Sequence, residues 1–264
     1  MVRNVVFPAL LFGAVVLAPF GAYADPPAPV HPADGPVIEA HPVHGLTVGP
    51  GRKLWVFVFP GRENGKGPKP PGGDSSSPSC IDGDQLAYAH LGFSLPAAGS
   101  VTFNVNDGSI PTEPISTMEA IQASFSEWEL AIGDHFDVAP VGGASGPEAD
   151  GNNTVGWVRI VPRNVLAATW VWTEVDADGI ERVTDADIFY NLFQKWTALA
   201  ACGEAGGFDV GNVGTHEVGH VVGMAHVQDS GAMATMYPSA PKGEVKKRTL
   251  TTGDVDGALL AVVP

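Results

Sequence analysis

Residues 216–226 read HEVGHVVGMAH, and this stretch predicts a divalent-metal site at the end of a helix. His216 and His220 are four residues apart, so on an α-helix they lie one turn apart on the same face. Gly223 permits the positive φ that ends a helix and turns the chain back, which brings His226 towards the same point. Three neutral imidazoles and one open coordination position are typical of catalytic Zn²⁺, whereas a structural zinc usually has four protein ligands.

Glu217 directly follows the first of these histidines. From there its carboxylate can reach a water beside the metal without taking a coordination position, which is the place of a general base. The alternative interpretation is a histidine-rich amphipathic helix whose imidazoles lie on the surface. The combined spacing of His, Glu and Gly in a chain with eight histidines favours the metal site.

The composition limits the classes of partner. The chain has 264 residues, of which 44% are hydrophobic, so it can form a core in one or two domains. Its 33 glycines and 23 prolines indicate many turns and loops. A net charge of −15 favours solubility and argues against nucleic acid or an anionic membrane as a partner. Nothing in the sequence indicates an oligomeric state.

The N-terminus has the pattern of a secretory signal peptide. A basic start precedes an apolar run at residues 5–20 and the small-x-small sequence Ala-Tyr-Ala at residues 22–24. We therefore predict a signal peptide at residues 1–24 and a secreted, extracellular protein without a stable membrane anchor. An uncleaved anchor is the alternative, although Pro8 and Pro19 interrupt the apolar run.

The two cysteines, Cys80 and Cys202, both lie after the predicted cleavage site. In an oxidising compartment the default expectation is that they form a disulfide. Metal ligation is the alternative, but the pair lacks the short Cys-x-x-Cys spacing of zinc sites.

Residues 25–79 are predicted to form a Pro/Gly-rich leader or pro-segment with a linker. The Pro-rich stretch at residues 26–29 and the Gly, Pro, Ser and Lys-rich stretch at residues 61–79 indicate flexible chain. Between them, residues 54–59 read LWVFVF and predict a single strand that needs to be covered.

This leader also contains His31, His41 and His44. They raise a latency hypothesis in which the segment shields the zinc. A disordered leader is the alternative, because histidines in a Pro-rich stretch need no ligand role.

The remaining residues, 80–264, are predicted to form the catalytic domain. Apolar residues recur at helical spacing from Met118 to Ile132, after a capping-box pattern at residues 116–119, and Gly133 ends the run. Strands are predicted at residues 101–105, 136–141, 154–161, 166–175, 180–183 and 187–191. This order predicts a mixed α and β architecture with a twisted sheet.

The metal-binding stretch is followed by residues 232–238, which read AMATMYP. Together the two stretches resemble the zinc helix and Met-turn of metzincins, and most closely those of the matrixins, the branch that contains the matrix metalloproteinases. The resemblance extends to residues 187–191, to residues 208–210 and to the pattern Leu-x-x-x-Asp-x-x-Gly at residues 250–257. It covers roughly residues 80–264.

The resemblance implies an α+β, metzincin-like fold: a twisted mixed sheet with a long amphipathic helix, a zinc-binding active-site helix and a C-terminal helix. It implies a zinc-dependent endopeptidase that acts on peptide or protein substrates. His216, His220 and His226 would hold one catalytic zinc and Glu217 would be the general base.

The resemblance also implies structural roles for two residues and leaves others open. Met236 would form a hydrophobic floor beneath the zinc, and Asp254 would anchor the C-terminal helix to the Met-turn. Residues 238–240 read Pro-Ser-Ala where the family has Pro-x-Tyr, so the substrate-binding residues are not implied. The cysteine-switch motif is absent, and no histidine lies between His135 and His216 to bind a second zinc.

The resemblance also implies structural calcium, Ca²⁺, because matrixins bind it, although this chain has no complete calcium-loop signature. Turn residues are the alternative interpretation of the acidic side chains near loops. These side chains are Asp150, Asp176, Asp178, Asp185 and Asp187.

Two other functions remain open at the level of sequence. One is a catalytically silent, secreted binding protein of the same fold, which the intact Glu217 argues against. The other is a zinc hydrolase that cleaves a non-peptide amide, which the Met-turn resemblance argues against.

Overall fold

A computed structural model of the chain describes residues 37–62, 80, 85–96, 100–111, 113–143, 146–203, 206–227, 233–260 and 262. The predicted signal peptide, the Pro-rich stretch, His31 and most of the predicted linker lie outside the described residues. Within those residues, no helix has both the length and the apolar character needed to cross a membrane.

The described residues form strands and helices in mixed order. The strands are β1 (Val37–Glu39), β2 (Val43–Gly49), β3 (Arg52–Arg62), β4 (Val101–Val105), β5 (Phe136–Pro140), β6 (Asn153–Val161), β7 (Val165–Val175), β8 (Glu181–Asn191), β9 (Trp196–Thr197), β10 (Phe208–Asp209) and β11 (Ala240–Pro241). The α-helices are α1 (Pro114–Ile132), α2 (Val210–Val222) and α3 (Thr252–Leu259).

Most strands belong to one mixed sheet in the order β11-β3-β7-β8-β6-β4-β5. Strands β5, β4, β6 and β8 run parallel to one another, whereas β7 is antiparallel to both β8 and β3. Strand β1 pairs with the end of β6, and β2 pairs with β3. The predicted α+β class with a mixed sheet and three helices is therefore confirmed.

The sequence prediction placed two strands at residues 180–183 and 187–191, but β8 is continuous. Asp185 and Ala186 continue the pairing with β7, and Thr184 is an extra residue at the register shift between Trp172 and Thr173. The predicted capping box at residues 116–119 is also wrong. The helix α1 begins earlier, at Pro114, and its N-cap residue makes no side-chain capping bond. A proline at the first helical position lacks only an N–H that would have no partner there, so the helix can begin at that residue.

The structure of residues 37–62 differs from the disordered leader that the sequence analysis considered as an alternative. Strand β3 contains the predicted run at residues 54–59, and it pairs with β7 from Arg52↔Glu174 to Pro60↔Val165. A continuous apolar strand needs packing neighbours on both faces. The edge of β7 that would otherwise be unpaired supplies the hydrogen-bonding groups for β3. The boundary between a pro-segment and a catalytic domain near residue 80 stays a prediction.

The main core lies between the sheet and the helices α1 and α2. Its largest buried side chains include Trp128 and Phe125 of α1 and Phe103 of β4. Both helices run close together because α2 has glycine where α1 approaches. A Cβ built on Gly219 would lie 2.7 Å from Cζ2 of Trp128 and 2.3 Å from Sδ of Met236. Gly219 therefore allows Trp128 and Met236 to pack against the backbone of α2.

We predict that Gly219→Ala lowers the free energy of unfolding. Alanine gains about 1 kcal/mol of helix propensity over glycine, but overpacking a rigid core typically costs about 1–3 kcal/mol. The net loss should be up to about 2 kcal/mol in urea denaturation, since the Trp128 ring and the Met236 side chain must move.

Gly211→Ala in the same helix is the matched control. The added Cβ would meet no atom closer than 3.4 Å, so the propensity gain should remain. Equal stability changes in the two variants would contradict the packing argument.

Candidate metal centre

The helix α2 is fixed at both ends by local interactions. At its start, the side chain of Asp209 accepts a hydrogen bond from the backbone N–H of Asn212 at 2.8 Å, as an N-cap. At its end, Gly223 has φ 100° in the left-handed region. The N–H of Met224 then bonds to the carbonyl of Gly219 at 2.9 Å. The chain reverses at Gly223 as the sequence predicted.

The structure brings the three histidines of the motif together. Nε2 of His226 lies 3.1 Å from Nε2 of His216 and 3.1 Å from Nε2 of His220. Nitrogens bound to one tetrahedral zinc at about 2.0–2.1 Å would be about 3.3 Å apart. These three residues form the one group of His, Cys, Asp or Glu side chains among the described residues that could hold a metal ion.

Backbone carbonyls orient the two helical imidazoles. Nδ1 of His216 lies 2.7 Å from the carbonyl oxygen of Thr235, and Nδ1 of His220 lies 2.8 Å from that of Met224. Because a carbonyl only accepts, each Nδ1 carries the proton and each Nε2 presents its lone pair. This arrangement of metal-binding histidines fixes the tautomer that a metal requires, so the donor set fits zinc.

The three imidazoles are neutral at neutral pH. Burial, together with neighbouring imidazoles, holds the pKa values of His216 and His220 well below the ordinary value of 6.5. Burial, with smaller contributions from His44 and Lys247, lowers the pKa of His226 to about 4. The neutral imidazole is the form of histidine that binds metals. These three rings are already in that form, so they need not lose a proton before a cation binds.

Glu217 is fully buried beside this group. Its Oε2 accepts a hydrogen bond from the hydroxyl of Thr169 on β7 at 2.5 Å, whereas its Oε1 has no protein partner. Burial raises the pKa of Glu217 to about 8, against the opposing effect of the Thr169 hydrogen bond. A buried carboxylate oxygen without a partner is costly, and a water or a nearby cation would relieve that cost.

Met236 and Asp254 are both fully buried, and the structural roles that the resemblance implies for them stay predictions. Met236 is buried against Gly219 of α2. Oδ2 of Asp254 accepts hydrogen bonds from the N–H of Thr235 at 3.0 Å and from the N–H of Thr251 at 2.9 Å. Asp254 thus joins the start of α3 to the turn that carries Met236.

Two aromatic side chains of β3 cover the histidines, and the sequence analysis did not find them. The Phe57 ring stacks on His220 with centroids 4.2 Å apart, and the Phe59 ring stacks on His216 at 4.0 Å. The alternation of the run at residues 54–59 indicates that both rings share a face, but only the sheet order shows what they contact. His44, which raised the latency hypothesis, is exposed and is not part of the metal-binding group.

The acidic residues considered for calcium fall into two groups, one around Asp185 and Asp187 and the other in the turn at Asp176 and Asp178. Asp185 and Asp187 are buried on β8, where they accept hydrogen bonds from the N–H groups of Gly151 and Thr154. Burial, with the nearby Asp185 and Asp150 charges, raises the pKa of Asp187 to about 8. Asp176 instead pairs with Arg182 at 2.6 Å.

Cys80 and Cys202 form a disulfide, with their Cα atoms 5.4 Å apart. The pair spans 122 residues of sequence and joins the segment before β4 to the loop before α2. The expected pairing is therefore present, and neither cysteine is free to bind metal.

The mixed α+β fold and the three converging histidines support a metzincin-like assignment. Comparison with protein-family models matches residues 163–259 to the family described as Matrixin. The match runs from the start of β7 to the end of α3 and contains the three histidines, Glu217, Met236 and Asp254. A comparison with curated proteins found no match. The family match supports a matrixin-like zinc metallopeptidase at the level of the family.

We predict that zinc binding by this site depends weakly on pH in the Glu217→Gln variant, which removes the titrating carboxyl. Because the histidine pKa values are already low, the affinity for zinc should change less than about tenfold between about pH 5 and about pH 7. Three histidines with ordinary pKa values would lose about four orders of magnitude over the same range.

Competition with a chromogenic chelator would measure this affinity. His220→Ala should abolish stoichiometric binding, whereas His41→Ala, which removes an exposed histidine, should retain it. A steep loss of affinity towards pH 5 would contradict the low histidine pKa values.

Proposed function

We propose that the protein is a secreted zinc-dependent endopeptidase that hydrolyses peptide bonds with a zinc-activated water and Glu217 as the general base. The observation that carries this proposal is the convergence of three Nε2 atoms beside a buried carboxyl group. The same residues have the spacing of the zinc-helix motif, and the family match covers them. The cysteines support secretion, because a disulfide is typical of an oxidising compartment.

His216, His220 and His226 would hold the metal, with the orientation that the two backbone carbonyls impose. When bound there, zinc lowers the pKa of a water towards about 7 and polarises a carbonyl oxygen. Three protein ligands leave a coordination position for substrate or water, as in catalytic rather than structural sites.

Glu217 would take the proton from the attacking water and deliver it to the leaving amine. Its Oε1 has no protein partner and is available for this transfer, whereas Oε2 is held by Thr169. A cation beside the carboxyl group favours its ionised form, which offsets the burial that raises its pKa. Thr169 is therefore a positioning residue that fixes the carboxyl group in one orientation.

Peptides are the substrate class that the family match supports. The two rival functions predict different results in one experiment. A silent binding protein would cleave nothing in a quenched fluorescent peptide assay, with or without chelator. A hydrolase of non-peptide amides would leave the peptides intact and cleave members of an amide substrate panel.

We predict that Glu217→Ala retains zinc and loses peptide hydrolysis. Removing a general base typically lowers the rate by about 10²–10⁴-fold, and metal retention separates this effect from loss of the site. Elemental analysis measures the zinc content, and quenched-peptide hydrolysis measures kcat/KM.

The Thr169→Val variant tests the positioning of Glu217, and its effect on hydrolysis should be smaller than that of Glu217→Ala. The variant keeps the side-chain shape but removes the hydroxyl that contacts Oε2, so it should lower kcat by about tenfold with little change in KM. Comparable activity in Glu217→Ala and the unmodified protein would refute the assignment of the base.

Calcium binding near Asp150, Asp185 and Asp187 remains a prediction. Because the folded-state pKa of Asp187 is raised, stability should fall as pH rises from about 4 towards about 8 in the absence of a cation. A bound calcium ion would favour the charged carboxylates and restore stability at the upper end of this range.

The melting temperature with and without added calcium at about pH 8 tests this prediction. Asp150→Asn should reduce the calcium-dependent shift, whereas Asp178→Asn, an exposed aspartate in the turn before β8, should not. An identical melting temperature with and without calcium in the unmodified protein would contradict the prediction.

A further inference from the structure

Strand β3 lies in a channel that passes over the metal-binding histidines. One side of the channel is the edge of β7, which pairs antiparallel with residues 52–60. The other edge of β3 pairs with β2 at residues 52–56 and with β11, which follows the Met236 turn, at residues 61–62. Backbone hydrogen bonds therefore hold β3 from both sides, which is how an extended peptide binds to a sheet edge.

The register places β3 directly over the candidate catalytic groups. Phe57 is the pairing partner of Thr169, whose hydroxyl holds Glu217. The rings of Phe57 and Phe59 are nearly parallel to the imidazoles of His220 and His216, with interplanar angles of 12° and 17°. With β3 in this position, both helical histidines are fully buried. A substrate carbonyl needs the same space.

The Phe59 side chain also fills a defined pocket beyond the histidines. It is fully buried, and Nζ of Lys247 lies 5.7 Å from its ring centroid. Lys247 is itself fully buried, and its Nζ donates hydrogen bonds to Oε1 of Glu244 at 2.5 Å and to the carbonyl of Ser239 at 3.1 Å. An ammonium group near an aromatic face is attractive. The pocket therefore holds the Phe59 ring in place.

The opposite end of β3 is fastened by ion pairs. Arg52 pairs with Glu174 at 2.6 Å, and Lys53 pairs with Glu181. Both basic side chains are more than a third exposed. Exposed pairs contribute little to stability, so the stacked rings and the strand pairing are the main contacts that keep β3 over the site.

We infer that β3 is an internal blocking strand, which occupies the peptide-binding channel and keeps the metal site closed until the strand leaves. The inference rests on the proposed function, since a blocked channel regulates only a protein that acts on peptides. The blocking groups are two phenyl rings that cover the imidazoles. They supply no ligand to the metal, in contrast to the histidine-based shielding that the sequence suggested.

The test compares two double variants of the full chain. Phe57→Ala/Phe59→Ala removes the rings that cover the histidines. Val56→Ala/Val58→Ala removes apolar side chains from the same strand that pack in the second core cluster, on the other face. The first readout is the rate of zinc transfer to a chromogenic chelator, which does not depend on catalysis. The second is hydrolysis of a quenched peptide library.

We expect the phenylalanine variant to release zinc at least about tenfold faster and to cleave peptides at least about tenfold faster than the unmodified chain, because its open state is more populated. The valine variant should show a much smaller increase in both assays, because its truncated side chains do not cover the histidines. If the double alanine variant does not fold, Phe57→Leu/Phe59→Leu keeps apolar volume, removes the ring stacking and should show the same direction.

A cross-linked variant separates departure of the strand from loss of the rings. Val58 and Ala168 are pairing partners on β3 and β7. Adding Val58→Cys and Ala168→Cys to the phenylalanine variant should suppress its gain in peptide hydrolysis if the strand must leave the channel.

The outcomes distinguish the two proposals. Equal zinc-transfer rates and equal hydrolysis in all variants would overturn the blocking strand and leave the peptidase function intact. Faster zinc transfer without peptide hydrolysis in any variant would support the cover over the metal site and overturn the peptidase function.

Discussion

Two hydrogen bonds from imidazole Nδ1 atoms to backbone carbonyls are the constraint on which the metal centre depends. The carbonyl that orients His216 belongs to Thr235, and the N–H of Thr235 is held by Asp254 at the start of α3. A chain of contacts therefore links the C-terminal helix to the direction of one lone pair. The carbonyl that orients His220 belongs to Met224, whose position follows from the left-handed turn at Gly223. These carbonyls set the imidazole tautomers through the fold before any metal binds.

The local parts of this arrangement were predictable from sequence. Four-residue spacing puts His216 and His220 on one helical face, and a glycine at the helix end turns the chain to His226. The long amphipathic helix also followed from its periodicity, except at its start, where Pro114 begins the helix before the predicted capping box. These features depend on neighbours within a few residues, which is the range over which side-chain pattern determines backbone structure.

The contacts between distant segments were not predictable. Residues 54–59 were expected to form a strand that needs covering, but an apolar run does not specify which sheet edge it pairs with. Only the order of strands brings Phe57 and Phe59 onto the histidines and Thr169 onto Glu217. Gly219 is a further example, because its role depends on the approach of Trp128 and Met236 from elsewhere in the chain. The roles of such residues depend on contacts between distant segments, and the local sequence pattern does not indicate these contacts.

The electrostatics of the site explain why it can be both buried and ready for a cation. Burial keeps the three imidazoles uncharged and raises the pKa of Glu217 to about 8, so these four groups carry little net charge at neutral pH. The nearby buried Lys247 is neutralised by its ion pair with Glu244. A divalent cation would therefore enter a site with little opposing charge, and its field would favour the ionised form of Glu217. The same burial that closes the site to solvent thus couples metal binding to activation of the carboxyl group, and the phenyl rings of β3 complete that burial from the side on which a peptide must enter.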